Sequence, residues 1–192
     1  MFKIEQINDN IRIAGLDLTA FAAEQALTKK RDIEKAGIEF LLNKLLAGKT
    51  FNLKYNENNK PFLEGENLHL SISHSHDKLA IILNSKECTG IDVELIREKI
   101  KNIANKFLNE NEIIFANENV ELLTTLWAAK EALYKVYGLK ELDFRKNIFI
   151  EKFDMAQNNF FGKIELPNFK KRYLLSKAKT ENYILVYILN EV

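Results

Sequence analysis

The chain has 192 residues, 46% of them hydrophobic and 29% charged, with a formal net charge of +1. That length suits one large domain or two small ones, seven Gly and two Pro exclude a collagen-like or Pro-rich chain, and the near-zero charge argues against general nucleic-acid binding. No apolar run approaches the ~20 residues that span a bilayer, the opening Met1-Phe2-Lys3-Ile4-Glu5 lacks the order of a secretory signal, and Cys88, the single cysteine, allows neither an internal disulfide nor a Cys-rich zinc site.

In chain order, Lys3 to Leu18 reads as one or two strands, broken by the turn-prone Asn8-Asp9-Asn10. Ala20 to Ala47 reads as helical, with Ala36, Phe40, Leu41 and Leu45 at helical spacing and Gly48 as the stop. Asn56 to Pro61 is a polar loop, and Leu68 to Ser73 and Leu79 to Leu83 are strands joined by a hairpin turn over His74 to Lys78. After Thr89 the order restarts. Gly90 to Leu95 is a short strand, Lys99 to Asn117 is helical, and Val120 to Tyr137 is a second helix with a strong apolar stripe. Four strands follow, at 148–153, 160–166, 172–178 and 183–189, with turns at Asn158-Asn159 and Glu181-Asn182. The expected fold is α+β: two similar subdomains, 1–88 and 89–192, each a long helix packed on a small antiparallel sheet. The active site is expected at their seam, near Lys86 to Gly90. The lone cysteine and the lack of a spanning run or signal favour the cytoplasm, and a chain with both halves present can build the site as a monomer.

The chemistry concentrates in two short segments. In Gly90-Ile91-Asp92-Val93-Glu94 the two carboxylates share one face of a strand, because residues two apart point the same way. Their repulsion would be relieved by a divalent cation, and oxygen ligands suit Mg²⁺. A merely acidic, half-exposed strand face would look the same. In Trp127-Ala128-Ala129-Lys130-Glu131-Ala132-Leu133-Tyr134-Lys135, Glu131 and Lys135 lie one helical turn apart. They form either a surface ion pair or part of a site in which carboxylates hold a metal and lysines neutralise phosphate.

These two segments together resemble the paired signatures of the 4′-phosphopantetheinyl transferase superfamily. Asn59-Lys60-Pro61-Phe62-Leu63, Leu70-Ser71-Ile72-Ser73-His74-Ser75 and Phe107-Leu108-Asn109-Glu110-Asn111-Glu112 are similar to three further blocks of its longer, surfactin-synthetase-activating (Sfp-like) type. The resemblance runs in order over residues 59–135.

It implies transfer of the 4′-phosphopantetheine arm of coenzyme A to a serine of an apo acyl or peptidyl carrier protein, with release of 3′,5′-ADP. Asp92, Glu94 and Glu131 would hold Mg²⁺. Lys130 and Lys135 would face the pyrophosphate, with Lys135 also assisting the leaving group. Lys60 and Pro61 would border the adenine pocket, Ser73 and His74 would contact phosphates, and Glu112 would act as base or positioner of the serine. Each has a plainer competitor: Asn109-x-x-Glu112 is also a capping-box pattern, Pro61 also stiffens a loop, and His74 and His76 also suit an exposed turn. Lys29, Lys30, Arg31, Lys35 and Lys44 give the first long helix positive charge for the 3′-phosphate, although Glu39 stands where the family pattern leads one to expect a base. A non-catalytic coenzyme A or carrier-binding module and a metal-dependent phosphodiesterase are the alternatives.

Overall fold

The computed structural model describes residues 2–180 and 182–192. The chain divides into two compact units, Met1–Thr89 and Gly90–Val192, each with its own sheet and hydrophobic core.

The first unit contains β1 (Phe2–Gln6), β2 (Ile11–Asp17), α1 (Leu18–Glu24), α2 (Lys30–Leu45), β3 (Leu53–Tyr55), β4 (Pro61–Leu63), β5 (His69–Ser75) and β6 (Lys78–Asn84). Its antiparallel sheet has the order β1-β2-β6-β5. Asp17 starts α1 by accepting a hydrogen bond from the Ala20 amide at 2.9 Å. That bond and the Lys78 ammonium at 2.7 Å hold its carboxyl below the usual range. The helix expected over 20–47 is interrupted. Ala26 adopts a left-handed backbone with φ 53°, which ends α1 and lets α2 lay Leu41, Leu42 and Leu45 against Leu16, Leu79 and Ile81 of the sheet. The polar loop at 56–61 proves to be the turn of a two-stranded hairpin, β3 on β4.

The second unit contains β7 (Ile91–Leu95), a 3-10 helix (Glu98–Ile103), α3 (Ala104–Phe107), α4 (Glu110–Ala116), α5 (Val120–Tyr137), β8 (Ile148–Ile150), β9 (Asn159–Leu166), β10 (Phe169–Lys179) and β11 (Tyr183–Glu191). The antiparallel order is β7-β11-β10-β9-β8. The Asn119 side chain caps α5 on the Leu122 amide at 2.9 Å, and Gly138, at φ 69°, ends it in the left-handed conformation that glycine adopts without strain. Leu126 and Leu133 of α5 join Ile148, Ile164, Leu175 and Val186 of the sheet in one core. The expected α+β architecture of two sheet-bearing halves is therefore the one observed. The turn expected at Glu181-Asn182 includes Glu181, which lies outside the described residues. Among the described residues no helix is long and apolar enough to cross a membrane.

Candidate active site

A glycine sets the geometry. A Cβ on Gly90 would lie 2.0 Å from the Ala132 carbonyl oxygen of α5, so only glycine lets the chain entering β7 pass this close to the helix. The carboxylates of β7 then meet one face of α5. Asp92 is buried, and its Oδ1 accepts from the Lys135 ammonium at 2.7 Å, which also donates to the Ile91 carbonyl at 3.0 Å. Glu94 Oε1 accepts from the Trp127 indole Nε1 at 2.9 Å. Trp127, Glu131 and Lys135 follow at four-residue spacing on α5, so Glu131 falls between the two contacts. Burial, then the negative charges of Asp92 and Glu94, push the Glu131 carboxyl up to about 7 against the opposing pull of Lys135.

The donor chemistry suits a hard divalent cation. Asp92, Glu94 and Glu131 would offer it oxygen ligands, and it would offset both the burial and the neighbouring negative charges that raise the Glu131 carboxyl. Among the described residues, no group of three or more His, Cys, Asp or Glu side chains is already drawn together at metal-holding distances. Lys135 stands against Asp92, and Trp127 against Glu94.

Lys130 and Glu112 go elsewhere. Lys130 has no exposed surface, and its ammonium contacts Glu112 Oε2 and the carbonyls of Phe144 and Ile148, each at 2.7 Å. Those contacts use all three of its donors. Burial lowers its pKa, while Glu112 opposes the shift. Glu112, itself buried, completes the α4 capping box with Asn109 and accepts from the Ile150 amide at 2.9 Å. The plainer reading of Asn109-x-x-Glu112 as a capping box is thus observed, and neither Lys130 nor Glu112 is brought to the carboxylates of β7. A signal for this was present: Lys130 falls in the stripe Leu123, Leu126, Lys130, Leu133, at the spacing of the buried face. Trp127 lies in the apolar stripe of α5, and its bond to Glu94 is a contact that spacing along the chain did not indicate.

In the first unit, Lys60 and Pro61 line a pocket of about 160 Å³ with Asn56, Phe62, Leu68, His69, Leu70 and Thr89. Burial lowers the Lys60 pKa, with Cys88 opposing. Ser73 is buried in β5, whereas His74 is exposed with Nδ1 3.7 Å from Glu34. His76 occupies the β5–β6 turn at φ 54°. Lys29, Lys30, Arg31, Lys35, Glu39 and Lys44 are all exposed around α2.

A helix is thus laid across a sheet, with Asp92 of the unit's first strand facing Lys135 and Glu94 facing Trp127 of that helix. The family model described as the 4′-phosphopantetheinyl transferase superfamily matches residues 88–188, just over half of the chain and nearly all of the second unit. The chain belongs to that superfamily. A relative from Aneurinibacillus migulanus, the 4′-phosphopantetheinyl transferase gsp, is 38% identical over 88 residues, covering 43% of this chain and 36% of the relative. The 4′-phosphopantetheinyl transferase AcpT of Escherichia coli O157:H7 is 29% identical over 92 residues, covering 44% of this chain and 47% of the relative. The matched segments span between a third and a half of these curated relatives.

Proposed function

We propose that this chain transfers the 4′-phosphopantetheine moiety of coenzyme A to a serine hydroxyl of an apo acyl or peptidyl carrier protein and releases 3′,5′-ADP. The observation that carries the reading is the array of Asp92, Glu94, Glu131 and Lys135 between β7 and α5, within the segment that matches the superfamily. The serine oxygen forms a bond to the phosphorus next to the pantetheine arm as its proton passes to solvent water, and the bond from that phosphorus to the bridging oxygen breaks, its electron pair leaving with 3′,5′-ADP. Asp92, Glu94 and Glu131 would hold Mg²⁺, which when bound neutralises the pyrophosphate oxygens.

What the side chains contribute is positioning and charge. Lys135 would exchange its contact with Asp92 for the charge that develops on the leaving phosphate. Trp127 fixes the Glu94 carboxylate through its indole N–H and so limits where that ligand can point. We assign the adenine to the pocket lined by Lys60 and Pro61, and the 3′-phosphate to the exposed bases Lys29, Lys30, Arg31 and Lys35. Ser73 and His74 remain assigned to phosphate contacts. Lys130 and Glu112 serve as positioning residues, since their contacts tie α5 to α4 and β8.

Intact-mass measurement of apo carrier proteins incubated with this protein, coenzyme A and Mg²⁺ tests the reading. The expected result is one added phosphopantetheine, absent after chelation and absent with Asp92→Ala. Coenzyme A binding without transfer to any carrier would instead make the chain a binding module. Release of 3′,5′-ADP without a carrier would make it a phosphodiesterase.

A further inference from the structure

We propose that Glu34 is a specificity-determining residue: its carboxylate is an internal anion that competes with the 3′-phosphate of coenzyme A, so the chain draws little of its affinity from that phosphate. This rests on the proposed function, which gives the 3′-phosphate to the bases around α2 and a phosphate contact to His74. In β5, His74 shares a strand face with Leu70 and Ile72, and those two pack in one core with Leu41, Leu42 and Leu45 of α2. The His74 ring therefore stands on the side of the sheet that α2 covers. On α2, Lys30 and Glu34 lie one turn apart on one face. Glu34 Oε1 is 3.7 Å from the Lys30 ammonium and 3.7 Å from His74 Nδ1. One carboxylate oxygen is thus shared by two groups that the substrate's phosphate would need.

That oxygen is poorly served where it stands. The Glu34 side chain is 19% exposed, and Oε1 is buried without a hydrogen bond among the described residues. A distance of 3.7 Å is too long for either donor to supply one. Lys30 also precedes Glu34 along the helix, the weaker order for an ion pair one turn apart. A carboxylate oxygen taken from water on these terms keeps its desolvation cost, while the hydrogen bonds of Lys30 and His74 are still to be offered. A phosphate that takes them must either move the Glu34 carboxylate out to water or settle beside it against like-charge repulsion. Both routes offset what Lys30 and His74 contribute. The loss is specific to the 3′-phosphate; a donor lacking that group loses nothing to Glu34.

The test compares coenzyme A with 3′-dephospho-coenzyme A by calorimetry at one fixed ionic strength, on the full chain and on Glu34→Gln. The native chain is expected to bind the two ligands within about tenfold of each other. Glu34→Gln keeps the size of the side chain and removes its charge. It is expected to bind coenzyme A on the order of tenfold more tightly, with dephospho-coenzyme A unchanged. A merely structural role for Glu34 would move both ligands together. A native preference for coenzyme A well beyond about tenfold, or the same ligand ratio in Glu34→Gln as in the native chain, would overturn the inference and leave the proposed function standing. The native ratio decides even if the variant fails to fold. If the native chain binds neither ligand, the proposed function and the inference fall together.

Discussion

Lys130 and Lys135 share one helix, yet their surroundings give them opposite tasks. Lys135 reaches β7 with its ammonium partly open to solvent, whereas Lys130 is sealed among Glu112, Phe144 and Ile148. A buried ammonium holds its charge only while its partners remain. Lys130→Met leaves Glu112 buried beside an alkyl chain and is expected to cost about 3–5 kcal/mol in urea unfolding. The double variant with Glu112→Gln should recover much of that loss. A single-variant cost below about 1 kcal/mol would show that the pair does not organise the core. Glu131 offers a second test at this scale. Its folded pKa, about 7, lies above the ordinary 4.5, so the folded state holds this proton more tightly than the unfolded state. The penalty is full above pH 7 and fades as pH falls toward 4.5. In chelator, the stability of the native sequence relative to Glu131→Gln should therefore rise as pH drops from about 7.5 to 5. The lowered carboxyls of Asp17 and Glu151 lose their contributions only below that window. A flat difference between the two proteins would mean that neither burial nor the charges of Asp92 and Glu94 raise the Glu131 carboxyl.

Between elements, the decisive contact is backbone on backbone: β7 approaches α5 where Gly90 meets Ala132. No rotamer change can relieve a Cβ lying 2.0 Å from a carbonyl oxygen, so Gly90→Ala must shift the strand or the helix. The expected result is soluble protein of reduced stability whose Trp127 fluorescence differs from the native chain, because the indole loses its bond to Glu94. Native fluorescence and an unchanged melting temperature would show that the approach is looser than drawn. How the elements follow from the sequence depends on how local their causes are. The α5 limits were legible because Asn119 caps one end, Gly138 ends the other, and an apolar stripe runs between. The stretch 99–117 was not, since it breaks into a 3-10 helix, α3 and α4 where buried Phe107 and Leu108 are drawn into the core. The β3–β4 hairpin is hard to read from sequence because its strands are three residues each and half of those residues are exposed. In the candidate site, the carboxylates were legible from spacing and family resemblance. The burial of Lys130 was obscured because charge usually marks a solvated face, and Trp127's bond to Glu94 depends on a contact between residues 33 apart in the chain.

At the scale of the whole molecule, two cores in one chain make a different claim from one core with two sheets. Leu41 and Leu42 belong to the core of the first unit, and Leu126 and Leu133 to that of the second, all with no exposed surface. Truncating such a side chain removes its transfer energy and opens a cavity, typically costing about 2–5 kcal/mol. If each core holds its own unit, the damage should stay local to the amides that depend on it. Leu126→Ala is then expected to speed hydrogen exchange in α5 and in β8 to β11, while β2, β5 and β6 keep their native protection. Leu41→Ala should give the reverse pattern. Exchange measured by mass spectrometry on peptides from both units distinguishes the cases. Equal loss of protection in both units from either substitution would mean that the two cores unfold as one. The local pattern would mean that the carboxylates and Lys135 can be disturbed without dissolving the Lys60 pocket, and the pocket without dissolving the carboxylates.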